Sequence, residues 1–212
     1  MKSWIKTLVV SAVMVSGLTG CPAFIVGGAA VGGLAATDRR SVGAQTDDSV
    51  IEAQVAASIA NYWQANPVAA GQPQPNVKVI SYNRHGLLLG YVTSEAEKTM
   101  AERALRAQPN VAKIYNYINV APGDRKFGDV SQDTWITSKI RTNLLNAKGF
   151  IPNRVKVVTY DGVTYVFGIL TPAEQAAATA QISATSGVQR VVTLFETFTE
   201  TEQPATEAAP AS

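Results

Sequence analysis

An internal repeat constrains the fold of this chain of 212 residues more than any other feature of its sequence. Two stretches carry the same landmarks in the same order, and most of these landmarks lie 77 or 78 residues apart. The matched pairs are 48–51 with 133–136, 77–79 with 155–157, 82–90 with 160–168, Thr93 with Thr171, and 110–111 with 187–188. Ordered self-similarity of this kind is typical of a duplicated supersecondary unit. We therefore expect two copies of one small fold.

Each copy begins with a segment whose apolar residues recur every four positions, which predicts an amphipathic helix. These apolar residues are Ile51, Val55 and Ile59 in the first copy, and Ile136, Ile140 and Leu144 in the second. Asp48 and Asp133 precede them at the distance expected of helix N-caps. A second helix is predicted after Thr93 and after Thr171, the latter with Pro172 at the first helical position.

Alternation of apolar and polar residues predicts three strands in each copy. The strands cover about 76–82, 87–92 and 111–120 in the first copy, and about 154–160, 163–169 and 188–198 in the second. Asp161-Gly162 suits a two-residue hairpin turn, whereas residues 83–86 predict a longer turn. The element order is therefore α-β-β-α-β, twice.

The predicted fold class is α+β: two tandem αββαβ domains, each a small three-stranded mixed sheet with two helices on one face. A copy of about 70 residues is near the lower limit for a self-sufficient core. We therefore expect the two copies to pack against each other.

The N-terminus has the three parts of a secretory signal. Lys2 and Lys6 are followed by an uncharged apolar stretch, 8–18, which is too short for a bilayer core that requires about 20 residues. Residues 18–21, Leu-Thr-Gly-Cys, resemble the lipobox of bacterial lipoproteins. In that family the cysteine is acylated, palmitate included, and becomes the first residue of the mature chain. The alternative is a chance cleavage site beside a free thiol. Cys21 is the only cysteine, so it cannot form a disulfide within the chain.

Position two of the mature chain is Pro22 rather than the Asp that favours inner-membrane retention in such families. The resemblance therefore implies a protein that is lipid-anchored in the outer membrane and faces the periplasm. Without Lys2 and Lys6 the chain has 16 basic and 16 acidic residues, so no net positive charge points to nucleic acid. The predicted organisation is a signal peptide (1–20), a lipidated N-terminus and tether (21–46), a first domain (47–121), a linker (122–131), a second domain (132–199) and a disordered tail (200–212).

The sequence resembles the BON domain family, and more closely its dual-BON outer-membrane lipoproteins of the DolP type. The resemblance is carried by Cys21, by parts of the segment 36–48 and above all by Asp133-Thr134-Trp135-Ile136-Thr137, and it covers residues 21 to 199. It implies a lipoprotein that supports outer-membrane integrity and gathers at cell-division sites. It also implies that the first helix of the second BON domain binds anionic phospholipid.

A helical wheel of residues 133–146 places Trp135 about 140° from the centre of the core stripe. Tryptophan suits the headgroup level of a bilayer, where its ring is buried while its N–H stays hydrated. Polar residues and a lysine lie near Trp135 on the wheel, and Leu145 lies further round. The candidate phospholipid-binding residues are Trp135, Ile136, Ser138, Lys139, Arg141, Thr142 and Leu145.

The first copy is an internal control for this helix. Positions that face away from the core gain bulk and positive charge in the second copy: Trp135 replaces Val50, Lys139 replaces Gln54, Arg141 replaces Ala56, and Leu145 replaces Ala60. The core does not require these changes, so they indicate a surface function. The alternative is that Trp135 packs against the first domain in an interdomain seam and that the basic residues are only solvated.

The sequence carries no motif for catalysis, metal binding or phosphate binding, so we expect no enzyme, no cofactor and no small-molecule substrate. His85 is the only histidine, and we expect a solvated turn residue at this position. The expected partner is an anionic phospholipid membrane. A second hypothesis is a lipid-tethered periplasmic adaptor that docks an envelope protein through the first BON domain or the loop 64–76.

Overall fold

The computed structural model describes residues 38–121, 127–147 and 151–199. The predicted signal peptide, Cys21, the tether up to residue 37 and the predicted tail 200–212 lie outside these residues. The first domain contains α1 (Val42–Ala65), β1 (Asn76–Tyr82), β2 (His85–Val92), α2 (Glu95–Arg106) and β3 (Lys113–Val120). The second contains α3 (Phe127–Leu145), a short 3-10 turn (Pro152–Arg154), β4 (Val155–Tyr160), β5 (Val163–Leu170), α4 (Pro172–Ser183) and β6 (Arg190–Thr197).

The predicted fold class is confirmed. Each domain has one three-stranded sheet, in the order β1-β2-β3 or β4-β5-β6, with the first pair antiparallel and the second pair parallel. One face of each sheet packs on the two helices of its own domain. The cores so formed are centred on Ile51, Val55, Ile59, Leu88 and Leu105 in the first domain, and on Ile136, Ile140, Leu144, Val166 and Ile182 in the second.

The first helix of each domain begins earlier than the sequence predicted. Helix α1 begins at Val42, where the Ser41 side chain accepts a hydrogen bond from the Ala44 amide at 3.1 Å. Helix α3 begins at Phe127, inside the segment that the sequence analysis assigned to a linker. Asp48 and Asp133 are therefore not N-caps, because a helix already surrounds each of them. The prediction was wrong because it rested on a local pattern, an aspartate shortly before an apolar residue. In α1 the N-cap is Ser41.

Asp48 and Asp133 instead hold the hairpin turn of their own domain. The Asp133 carboxylate accepts hydrogen bonds from the amides of Asp161 at 2.7 Å and Gly162 at 2.9 Å. Asp48 accepts from the amides of Asn83 at 2.8 Å and Arg84 at 2.7 Å. Each buried carboxylate thus binds two turn amides that the sheet leaves unpaired.

The first hairpin turn is shorter than predicted. Tyr82 pairs directly with His85, so the turn contains only Asn83 and Arg84, with φ angles of 50° and 64°. Positive φ at both central residues is the geometry of a type I′ hairpin turn, and the second hairpin uses Asp161 and Gly162 in the same way. Arginine is uncommon at such an angle, and the two hydrogen bonds to Asp48 explain how the turn is stabilised.

The two domains pack through the sheet faces that point away from the helices, and we call this contact the seam. Its buried residues are Ile80, Tyr82, Leu87 and Leu89 of the first domain, and Tyr160, Tyr165, Phe167 and Leu194 of the second. The domains run in opposite directions along it. Asn83 in the turn of the first domain donates to Glu196 near the end of β6, and Asp161 in the turn of the second accepts from Tyr91 near the end of β2. The expectation that the two copies pack together agrees with this arrangement.

His85 is placed differently from the prediction. It is the first residue of β2, its side chain is largely buried, and its Nδ1 lies 3.7 Å from Glu196 Oε1 across the seam. Its ring meets that of Tyr115 edge to face, with centroids 6.3 Å apart. Because the turn has only two residues, His85 belongs to strand β2 and not to the turn.

One end of the seam is covered by residues 38–41, which we call the connector. Arg39 donates to the Ile169 carbonyl at 2.9 Å and to the Glu174 carboxylate at 2.5 Å, both in the second domain. Arg40 binds Asp48 of the first domain at 3.0 Å, and its guanidinium lies 4.2 Å from the centre of the Tyr82 ring. The connector therefore contacts both domains and does not act as a free linker.

Candidate functional site

Helix α3 presents two different faces. Ile136, Ile140 and Leu144 point into the core of the second domain and are almost completely buried. Ile136 is only 1% exposed, so the prediction that it contacts lipid is wrong. A residue at that depth supports the helix from beneath and cannot reach a membrane while the domain is folded.

The opposite face of α3 is exposed and carries two large apolar side chains. Trp135 is 65% exposed and Leu145 is 71% exposed. They are ten residues apart, which corresponds to about 15 Å along a helix. Between them lie Ser138 and Thr142, whose hydroxyls donate to helix carbonyls four residues back at 2.9 and 3.0 Å. These hydroxyls are satisfied within the helix, so the face can lose contact with water at little cost.

Lys139 stands on one flank of this face. Its Nζ donates to the carbonyl of Ser186 at 2.5 Å and to the Ser186 hydroxyl at 3.0 Å. The same ammonium lies 5.9 Å from the centre of the Trp135 ring. The α4–β6 loop thus fixes a positive charge beside the exposed indole. An ammonium has three donors, so one remains for a ligand.

Arg141 stands on the other flank and is exposed. Among residues 38–121, 127–147 and 151–199 its side chain has no hydrogen-bond or ion-pair partner. A guanidinium can bind a phosphate through two parallel hydrogen bonds. The face therefore has an apolar centre with one cation on each side. We call the group formed by Trp135, Ser138, Lys139, Arg141, Thr142 and Leu145 the α3 face.

One exposed apolar residue of α3 was not predicted. Val130 is 41% exposed and lies on the same side of the helix as Arg141, eleven residues before it. It was overlooked because the helix was expected to begin at Asp133. A valine within a polar stretch, Gly128-Asp129-Val130-Ser131-Gln132, was the available signal.

The corresponding face of α1 is exposed as well, but its side chains are small. Val50, at the position of Trp135, is 44% exposed, and alanines occupy the positions of Arg141 and Leu145. The difference between α1 and α3 is therefore one of side chains on the same scaffold.

Trp135 is not part of the seam. The seam is built from the sheet faces that point away from the helices, whereas Trp135 projects from the outer side of α3. Within the described residues, the alternative of a tryptophan packed between the domains does not apply.

Two other kinds of site are absent from the part of the chain that the structure describes. It contains no cluster of three or more histidine, cysteine or carboxylate side chains placed to hold a metal ion. None of its helices combines the length and the apolar character needed to cross a bilayer.

Comparison with known proteins places these features in a family. The BON domain family model matches residues 47–122 and 132–197. The outer membrane lipoprotein DolP of Haemophilus influenzae is 30% identical over 179 residues, which cover 84% of this chain and 89% of the relative. The 21 kDa hemolysin of Actinobacillus pleuropneumoniae is 31% identical over 156 residues, which cover 73% of this chain and 76% of the relative.

Among solved structures, CdsD, a structural protein of the type III secretion system of Chlamydia trachomatis, aligns with 68% of this chain and 92% of its own. The identity is 10% and the TM-score is 0.29, too low to support an inference. The two family matches and the identity with DolP confirm the resemblance seen in the sequence. This chain belongs to the BON domain family, as a dual-BON protein of the DolP type.

Proposed function

We propose that this protein is a non-enzymatic outer-membrane lipoprotein that binds anionic phospholipid through the α3 face. Cys21 would carry the permanent lipid anchor, with the two BON domains in the periplasm. The observation that carries the proposal is the exposure of Trp135 and Leu145 between two cations, on a helix whose duplicate has neither feature. The name of the Haemophilus relative supports the compartment.

The free energies expected of the α3 face correspond to reversible binding. Burying a large apolar side chain contributes about 1.5–3 kcal/mol, and each cation near an anionic leaflet contributes about 1 kcal/mol. Two apolar side chains and two cations therefore give a few kcal/mol after the cost of immobilisation is subtracted. Such a face releases and rebinds easily.

A lipid anchor at Cys21 would make this weak binding effective. The connector binds both domains through Arg39 and Arg40, so a tether from Cys21 could use only the residues before Arg39, fewer than the predicted segment 21–46. A flexible segment of that length has a root-mean-square span of about 23 Å. The α3 face would thus act at a high effective concentration near the membrane.

We propose further that the reversible contact directs the protein to regions rich in anionic lipid. Division sites are the expected location, and support of outer-membrane integrity is the expected role. The resemblance to DolP-type lipoproteins supports both.

Vesicle binding of residues 22–212, which lack the acylated cysteine, tests the proposal. The protein should co-sediment with phosphatidylglycerol vesicles and much less with phosphatidylcholine vesicles. Trp135→Ala should weaken binding about thirtyfold, the equivalent of about 2 kcal/mol of apolar burial. Arg141→Gln should weaken it about fivefold, the equivalent of one cation.

Val50→Ala is the matched control because Val50 occupies the same helical position in the first domain. It should leave binding unchanged. Equal binding to both kinds of vesicle, or no effect of Trp135→Ala, would sink the lipid proposal. The adaptor hypothesis, in which the first domain docks an envelope protein, would then be the one to pursue.

A further inference from the structure

The end of the seam opposite the connector is open. A cavity of about 260 Å³ lies there between the two domains. Residues of both domains line it, among them Lys98, Tyr117 and Asn119 of the first and Tyr160, Tyr165 and Arg190 of the second. None of these residues belongs to the α3 face.

The duplication makes the two ends of the seam comparable. At the connector end, the guanidinium of Arg40 covers the ring of Tyr82. Tyr160 is the equivalent of Tyr82, 78 residues later, and its ring borders the cavity. The protein fills one end with its own chain, whereas at the equivalent place on the other end it leaves a space bounded by aromatic side chains.

The two ends also differ in charge. At the connector end, Glu196 on β6 accepts hydrogen bonds from Asn83 and lies 3.7 Å from His85. The residue equivalent to Glu196 on β3 is Asn119. Lys98 and Arg190 add two cations to the open end. Across the described residues neither of these two side chains has a hydrogen-bond or ion-pair partner.

Asp161 is the one acidic residue that lines the cavity, and its carboxylate accepts a hydrogen bond from the Tyr91 hydroxyl. The lining residues therefore include two cations and one carboxylate, and the nearby carboxylate of Glu102 is already paired with Arg106. The charge of the cavity favours an anionic ligand.

The tyrosines give the cavity an aromatic wall. The rings of Tyr117 and Tyr165 lie 5.2 Å apart, and Tyr117 is partly exposed. Burial raises the pKa of Tyr165, so its hydroxyl stays protonated at neutral pH. A tyrosine offers an apolar ring face together with a polar hydroxyl, a combination that matches a sugar ring with its C–H faces and hydroxyl groups.

We propose that this open end of the seam binds a one-ring anionic sugar, a pyranose that bears a carboxylate or a phosphate. The cavity lies just below the volume of about 300 Å³ at which pockets for drug-sized ligands begin, so it suits a single ring. Tyr117 contacts the sugar ring, and Asn119 forms hydrogen bonds with the sugar hydroxyls. Lys98 and Arg190 bind the anionic group through charge-assisted hydrogen bonds. The sugar is a bound ligand and not a substrate.

Titrations followed by NMR amide shifts on residues 22–212 test this site. The probes are glucuronic acid, glucose 6-phosphate, neutral glucose and inorganic phosphate. The two anionic sugars should shift the amides of residues 116–119 and 163–165, with dissociation constants between about 0.1 and 10 mM. Glucose should bind at least about tenfold more weakly, since it lacks the charged group.

Variants separate the site from a general charge effect. Lys98→Gln combined with Arg190→Gln should weaken glucose 6-phosphate binding at least about tenfold, and Tyr117→Ala should weaken it similarly. Lys113→Gln is the matched control. Lys113 occupies, at the connector end, the position equivalent to that of Arg190, and its substitution also removes one positive charge. It should have no effect.

Three outcomes would overturn the proposal: no shifts at about 50 mM sugar, equal binding of inorganic phosphate and glucose 6-phosphate, or a loss of binding in Lys113→Gln as large as that in the Lys98→Gln, Arg190→Gln double variant. The vesicle experiment on the α3 face uses other residues, so either proposal can fail without the other.

Discussion

Asp133 lies inside a helix, where aspartate is ordinarily unfavourable, and yet it is almost completely buried. Its position is explained by the two amides that it binds in the β4–β5 turn. A single side chain thereby joins α3, which carries the exposed tryptophan, to the hairpin that borders the seam. Asp48 repeats the arrangement in the first domain.

Asp133→Ala should lower the free energy of unfolding by about 2–4 kcal/mol, because two turn amides lose a charged acceptor inside the protein. Urea unfolding of residues 22–212 measures the change. Glu95→Ala, which removes an exposed carboxylate from the first turn of α2, is the control and should cost less than about 1 kcal/mol. An Asp133→Ala variant as stable as the control would show that the turn does not depend on this carboxylate.

The connector and α4 are joined through Glu174. This carboxylate binds Arg39 of the connector at 2.5 Å and Arg154 at 2.6 Å, and it completes the capping box of α4 with Thr171. Burial alone would raise the pKa of Glu174, but hydrogen bonds from Arg39, the Thr171 amide and Arg154 outweigh that effect and lower the pKa from 4.5 to about 2. The connector therefore depends on an ionised Glu174.

The pH dependence of stability should reveal this interaction. The folded-state pKa of Glu174 lies below 4.5, so the ionised carboxylate stabilises the fold fully above pH 4.5, and this contribution is lost as the pH falls toward 2. Glu174→Gln should reduce stability above pH 4.5 and flatten its decline between pH 4.5 and 2. Urea midpoints measured across this range test it, and an unchanged slope in the variant would contradict the assignment.

The element order and most strand limits could be predicted from the sequence, because periodicity and duplication are local signals. The direction of Trp135 followed from the same helical geometry. The connector could not be predicted, since Arg39 and Glu174 are 135 residues apart and no local pattern joins them. The tight turn at Asn83-Arg84 was missed for a similar reason: the residue that stabilises it, Asp48, lies on another element.

The seam joins the two small domains into one structure. Tyr82 stacks on Phe167 of the other domain with ring centroids 5.8 Å apart, and Phe167 is completely buried. Lys156 of the second domain forms a polar contact with the first, donating to the Glu52 carboxylate at 2.7 Å and to the Ser81 carbonyl at 2.8 Å. Burial raises the pKa of Tyr82 to about 12, so its hydroxyl remains a donor to the Arg154 carbonyl.

Phe167→Ala should therefore destabilise both domains, although the substitution lies in the second. We expect a loss of about 3–5 kcal/mol, as for other buried phenylalanines. Hydrogen exchange should show reduced protection of Leu87, Leu88 and Leu89 in the first domain. Leu170→Ala, on the helix side of the same strand, should reduce protection first in the second domain. Unchanged protection of 87–89 in the Phe167→Ala variant would show that the domains fold independently.

The connector also determines how the molecule would bear a mechanical load. A pull that enters the described structure at Asp38 meets Arg39 and Arg40 before it reaches the first turn of α1. Arg39 binds the second domain and Arg40 binds the first. A pull would therefore be shared by both domains before it could unwind α1 from its N-terminal end. With the lipid anchor proposed at Cys21, drag from the membrane would load the ion pairs of Arg39 and Arg40 at the edge of the seam before it reached the apolar residues inside.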